Sequence, residues 1–300
     1  VQVGDLTAAQ FAVLTDPMIA VLNASNLTSE QLKYVNGSGH TVLSALKNQQ
    51  VGSLSTKVFS EFDASQIASL RVSNSELNGQ TLYLKAEQIQ AINVAYMSSS
   101  LLNASIVNVS EPYKSYDAGT VAQNLSDEQL KSLSQQQITS LGSRIWYLRT
   151  DQLSKLTATQ ISWLTRDQLG TNDGIISDRL KYIDASFLSP QQISYLVPVT
   201  ANHVEGNTYR IRYLNAVTLT ADQLEWPTAY RQVLKDNLTS DQFQARYIYT
   251  SKTVRQVLTG QEVSQAQLRS LSTSDLLTKD AQGQTLVSHL SATQLTALTA

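Results

Sequence analysis

The sequence predicts an all-α protein: a solenoid, or superhelical repeat array, of short capped helices with a period of about eight residues. Three observations carry that prediction. Apolar residues in the clearest stretch recur in an octad that fits neither a continuous helix nor a strand. A Ser/Thr-x-x-Gln pair recurs with the octad. Apolar residues keep this register through most of the chain, unlike a polar tract too poor in burial to offset its ordering entropy.

The octad is plainest in "LSDEQLKSLSQQQITSLGSRIWYLRTDQLSKLTATQISWLTRDQL", residues 125–169, where Leu125, Leu133, Leu141, Leu148, Leu156 and Leu164 fall at steps of eight, eight, seven, eight and eight. Within each octad the apolar positions are spaced five and three apart. On an unbroken helix, at about 100° per residue, a step of three keeps to one face while a step of five swings about 140° away. A strand would need steps in twos. The remaining solution is a short helix that stops and restarts.

The polar positions say how it restarts. Thr7 with Gln10, Thr28 with Gln31, Ser126 with Gln129, Ser134 with Gln137, Thr157 with Gln160, Thr220 with Gln223 and Thr239 with Gln242 each spell a capping box, in which hydroxyl and amide satisfy each other's exposed backbone donors. An eighth copy of the phrase, Ala292 to Leu295, lacks the hydroxyl and the glutamine. Apolar residues on either side, such as Leu156 with Ile161, Leu125 with Leu130 and Leu219 with Leu224, complete a hydrophobic staple. Because an N-cap takes non-helical dihedrals, each new start signal bends the chain. On this reading capping accounts for the glutamines completely. A helix so short is unstable alone, so its apolar stripe must pack on its neighbours.

Clear copies lie at 6–14, 27–35, 63–70, 125–169, 186–196, 219–224, 238–243, 264–271 and 290–298, with looser, loop-interrupted units over 36–120 and 170–260. Gly39, Gly79, Gly119, Gly206 and Gly283 each precede a Thr-containing run; the first three are forty residues apart, or five octads, which suggests a higher-order unit with glycine at its turn. No segment reads as a linker, so residues 1–300 form one repeat domain. The chain opens on Val1 and closes within the repeated phrase, which reads as a fragment of a longer protein.

The octads at 125–169, 6–14, 219–224 and 290–298 resemble the tandem repeats of the "LTTAQVAALTTDQIAAL" type found in very large bacterial surface and secreted proteins of adhesin-like character. The resemblance covers about half of the chain, on a short motif, and Tyr, Trp and Arg here intrude where that type has Ala. It implies bacterial origin, export and a structural or adhesive role, and it carries no catalytic residues.

Composition points the same way. A formal net charge of −2 with 15% charged residues gives no footprint for nucleic acid, which is excluded as a partner. There is no cysteine, and therefore no disulfide, thiol catalysis or thiolate metal site. Ser, Thr and Gln make up about a third of the chain, and this cysteine-free, weakly charged composition suggests an extracellular or cell-surface location. No stretch reaches the roughly twenty apolar residues of a membrane span, so no direct insertion is expected.

Candidate chemistry is sparse. His40, His203 and His289 have no metal-type partner nearby in sequence; "GSGH" at 37–40 is a turn without a phosphate-loop Lys; "TNDGIISD" at 171–178 lacks the acids of a calcium loop. Asp127 and Glu128 suit a helix N-terminus better than an acid/base pair. Arg144, Arg149, Arg210, Arg212, Arg246 and Arg255 read as a solvated face. No catalytic residue, metal or cofactor is expected.

One feature stands above this background. The residue before the closing apolar position is aromatic in eight units: Tyr34, Tyr83, Tyr147, Trp163, Tyr182, Tyr195, Tyr213 and Tyr247. It lies two residues past a buried one, about 200° round a helix, so it should flank the core. The expected function is therefore a non-enzymatic scaffold or adhesive segment that binds a protein or glycan through an aromatic-lined edge. The alternative is the recognition solenoid of a secreted toxin or effector whose activity lies elsewhere in the polypeptide.

Overall fold

The structure, a computed structural model, describes residues 3–70, 73–75, 79–82, 84–106, 119–170, 179–196, 213–220, 223, 238 and 240–299. These are mostly helical and contain few strand residues, so the class is all-α. The chain divides into two compact units, Val1–Gln152 and Leu153–Ala300.

Most helices are one or two turns long, and the caps explain where they begin. Asp127–Lys131, Gln135–Ser140, Ala158–Ser162 and Pro190–Tyr195 follow Ser126, Ser134, Thr157 and Ser189, each extended (ψ 160 to 164°) and each in a complete capping box. A box also precedes Ala292–Thr299, one register earlier than the sequence phrase suggested: Ser291 and Gln294 exchange bonds of 2.9 and 3.2 Å. Asp63 serves the same purpose before Ala64–Ser69, accepting from Ser65 Oγ and from the N–H groups of Ser65 and Gln66. The Ser65 hydroxyl first, then the Gln66 N–H and Lys33, hold the Asp63 carboxyl well below its ordinary value. A carboxyl depressed on folding stabilises above its unfolded pKa of 3.8 and loses that contribution as pH falls below it. Thermal unfolding should therefore show an acid limb that Asp63→Asn flattens; an unchanged limb would remove Asp63 from its causes.

Both apolar positions of the octad are interior. Leu125, Leu133, Leu141, Leu148, Leu156 and Leu164 are all at most 4% exposed, as are Leu130, Ile138, Ile145, Leu153, Ile161 and Leu169. The glutamines are buried with them, and capping accounts for only half of each side chain. Gln129 Oε1 accepts from the Ser126 N–H at 3.0 Å, while its Nε2 donates to the carbonyls of Ile89 and Ile92 at 3.0 and 2.8 Å. Gln137 repeats this on Val94 and Met97 (2.8 and 2.9 Å), Gln50 on Ile19 and Leu22, Gln88 on Gly52 and Leu54, and Gln152 on Ala122 and Leu125. In the second unit Gln192 reaches Ile161 and Leu164, and Gln223 reaches Ala185 and Leu188. The separations run from 25 residues (Gln31 to Leu6) to 43 (Gln137 to Val94). Most acceptors are carbonyls near the end of an earlier short helix: the first of a pair already accepts a backbone N–H three residues on, as Ile89 does from Ile92 and Val94 from Met97, and the second lies at or just past the helix end, where intrahelical partners run out. One amide thus serves the start of its own helix and the end of another. Left buried and unpaired, such a carbonyl would cost about 1–3 kcal/mol.

Where the octad fails, the structure changes accordingly. The one step of seven, Leu141 to Leu148, is spanned by the 3-10 helix Gly142–Tyr147, whose tighter winding buries both Ile145 and Trp146. A three-stranded sheet joins Ser73–Ser75 antiparallel to Gly79–Leu82, which pairs parallel with Ser105–Ile106. Ser240–Leu258 runs as one helix of 19 residues although Thr253-x-x-Gln256 lies inside it. There the residue before the threonine is Lys252 rather than an apolar one, so no staple forms, and Thr253 Oγ1 bonds the Tyr249 carbonyl in its own helix at 2.9 Å. A box without a staple does not stop a helix.

Two of the five Gly-containing runs form the same turn. Asn36 Oδ1 accepts from the N–H groups of Ser38 and His40, and Asp280 Oδ1 from those of Gln282 and Gln284; Gly39 and Gly283 both have φ 80°. An added Cβ would meet nothing within 4 Å at either glycine, so Gly39→Ala should cost only the left-handed backbone penalty, about 1–2 kcal/mol, and Gly39→Asn less. Equal melting temperatures for the three chains would refute this. Gly79 sits in the sheet, Gly119 also has positive φ, and Gly206 lies outside the described residues.

Candidate functional site

The aromatic positions divide by exposure. Tyr34, Trp163, Tyr182, Tyr195 and Tyr213 are half-buried, Tyr147 is 39% exposed and Tyr247 is 69% exposed. Tyr83 lies outside the described residues. Two of the half-buried rings make ring contacts. Tyr34 tilts against buried Phe11 at 5.8 Å, and the Lys181 ammonium sits 5.2 Å from the Tyr182 ring centre. Neither aromatic pair, Phe11 with Tyr34 or Phe59 with Phe62, joins two of the eight residues.

Local structure gives Tyr147 its place. Gly142, at φ 54°, starts the 3-10 helix; Ile145 and Trp146 turn inward at 1% exposure each, and Tyr147 follows on the outer side before Leu148 returns to the core. Its backbone is fastened, since Gln123 Nε2 donates to the Tyr147 carbonyl and Arg149 to the Gln123 carbonyl. A broad ring with a polar tip is thus presented from a held main chain, which suits recognition at low entropic cost. Tyr247 projects from the long helix beside Ile248, itself 57% exposed.

Tyr96, 43% exposed, holds the same place in its own unit: it is two residues past buried Val94 and immediately before buried Met97. The signal was present, but the unit closes on Met instead of Leu, Ile or Val.

The other candidates resolve into structural pairs. His40 Nδ1 lies 2.7 Å from Asp16 Oδ2, and Asn36 Nδ2 donates to Asp16 Oδ1 at 2.6 Å, which fastens the first turn to the helix Asp16–Ile19. His289 Nε2 lies 2.8 Å from Asp280 Oδ2. Burial opposes ionisation of Asp280, but the Gln284 N–H, His289 and the Gln282 N–H together hold its carboxyl below the ordinary range. His203, Arg210, Arg212 and the 171–178 segment lie outside the described residues. Asp127 and Glu128 occupy a first helical turn. Among the described residues no three His, Asp or Glu side chains gather as a metal site, and no helix is long and apolar enough to cross a membrane.

Arg246 departs from the solvated face expected of it. It is 8% exposed, and its guanidinium donates to the Leu219 carbonyl and, at 3.1 Å, to that of Ser270. Burial lowers its pKa, with Asp275 opposing. Its planar fork links two carbonyls, one 27 residues behind and one 24 ahead, much as a glutamine amide does elsewhere.

No protein-family model, curated protein or solved structure matches the chain.

Proposed function

We propose that the protein is a non-enzymatic scaffold or adhesive segment of a secreted or cell-surface bacterial protein, which binds a protein or glycan through its exposed aromatic residues. In this reading each unit is a solenoid of octads whose successive turns are tied by the glutamine amides. Support comes from the repeated reach of those amides to helix ends 25 to 43 residues earlier and from the burial of every octad leucine between 125 and 164. The observation that carries the binding role is Tyr147: it is 39% exposed on a fastened backbone, in a position where other units also place Tyr or Trp.

The test is binding of the protein to whole cells and to a glycan panel, beside the double variant Tyr147→Ala/Tyr247→Ala. Both side chains are exposed, so each change should alter stability by no more than about 0.5 kcal/mol. Binding that falls at least about tenfold with the circular dichroism unchanged supports the aromatic edge. Equal binding by the two chains would overturn it.

A further inference from the structure

Most of the glutamine bonds share a direction: the amide donates towards an earlier helix and a closing carbonyl accepts from a later one, with Gln123, which donates forward to Tyr147, and Gln90, forward to Asn124, as exceptions. A unit built this way has a donor edge at its start and an acceptor edge at its end. At the start of the first unit, Gln10 Oε1 caps the Thr7 N–H at 2.7 Å, yet Gln10 is exposed and its Nε2 has no partner among the described residues. At the end of the second unit, among the described residues, no glutamine donates to the closing carbonyls of Thr273–Leu276 or Leu286–His289.

Exposed apolar side chains mark the same two places. Of the eight exposed non-aromatic large hydrophobic residues described, four lie within 13–35 (Val13 74%, Met18 52%, Val21 79%, Val35 56%) and three within 277–295 (Leu277 60%, Val287 37%, Leu295 39%). Terminal units of a stacked array need a polar outer face to stay soluble, and exposed apolar side chains in these two segments work against that. A donor edge cannot satisfy a second donor edge, so the contact they suit is heterologous, between unlike surfaces.

We propose that two copies of this chain associate head to tail, the first segment of one (residues 3–35) docking on the last segment of the other (residues 272–298), with Gln10 Nε2 donating to a closing carbonyl there. The proposal rests on the stacked reading given under Proposed function.

Sedimentation velocity from about 1 to 200 µM tests it. The wild-type mass should rise with concentration, and Gln10→Glu, which keeps the cap and removes the donor, should weaken association at least about tenfold. A head-blocked variant (Val13→Glu/Val21→Glu) and a tail-blocked one (Leu277→Glu/Leu295→Glu) should each be monomeric, and an equimolar mixture should form a 1:1 dimer through the one head and one tail left free. Lysine at the same positions replaces any variant whose melting curve departs from wild type. A wild type monomeric throughout, a blocked variant that pairs with itself, or a mixture that stays monomeric would each overturn the proposal. The stacked reading fails separately, if Gln137→Glu leaves stability unchanged.

Discussion

Gln137→Glu should lower the stability of the first unit by about 3–5 kcal/mol at pH 7, although the two side chains are nearly isosteric. The introduced carboxylate can still accept from the Ser134 N–H, as Gln137 Oε1 does at 3.0 Å, because glutamate also completes a capping box. The loss is at the other end. Gln137 is 7% exposed, and its Nε2 donates to the carbonyls of Val94 and Met97 at 2.8 and 2.9 Å; an oxygen there faces two acceptors with no proton to offer. Burial without a donor raises the folded pKa of that carboxyl above its unfolded value near 4.3. The variant is then closest to wild type below about pH 4, where a protonated carboxyl can donate one bond, and loses stability as pH rises through the raised folded value. Urea unfolding followed by circular dichroism at pH 4 and pH 7 reads both effects. The same change at Gln10, exposed and without an Nε2 partner among the described residues, should cost no more than about 0.5 kcal/mol in the monomer. Equal losses at the two positions would mean that capping alone matters.

Trp146→Ala and Tyr147→Ala should differ by an order of magnitude though the residues are neighbours. Trp146, 1% exposed, is the largest fully buried side chain of the described residues, and truncating it should cost about 3–5 kcal/mol in lost burial and cavity formation. For a unit of this size that lowers the melting temperature by on the order of 10 °C. Tyr147, 39% exposed, should change stability by about 0.5 kcal/mol at most. Similar melting shifts for the two variants would show that Tyr147 packs as a core residue and would remove it from the proposed edge.

The contrast shows where sequence reading reaches its limit. Capping and stapling act between residues three to five apart, so Ser126 with Gln129, or Leu156 with Ile161, could be recognised from spacing, and the long helix obeys the same rule once Lys252 is seen to break the staple. The aromatic positions were legible as positions but not as exposures: Tyr34 is half-covered by contact with Phe11, while Tyr147 and Tyr247 are more open. Tyr96 escaped because its unit closes on Met97. Arg246 looked like any other arginine until its guanidinium was found on the Leu219 and Ser270 carbonyls.

By itself the sequence determined the helical class, the start of several short helices, such as those after Thr7, Ser126, Ser134 and Thr157, and the burial of the octad leucines, since each follows from dihedral preference, capping and apolar spacing within a few residues. Only the tertiary structure decided which carbonyls the glutamine amides would meet, which arginine would be buried, and which Tyr and Trp rings would remain open to a partner. Those outcomes depend on groups 23 to 43 residues apart, from Phe11 with Tyr34 to Val94 with Gln137, whose approach is set by how the helices pack rather than by any local pattern.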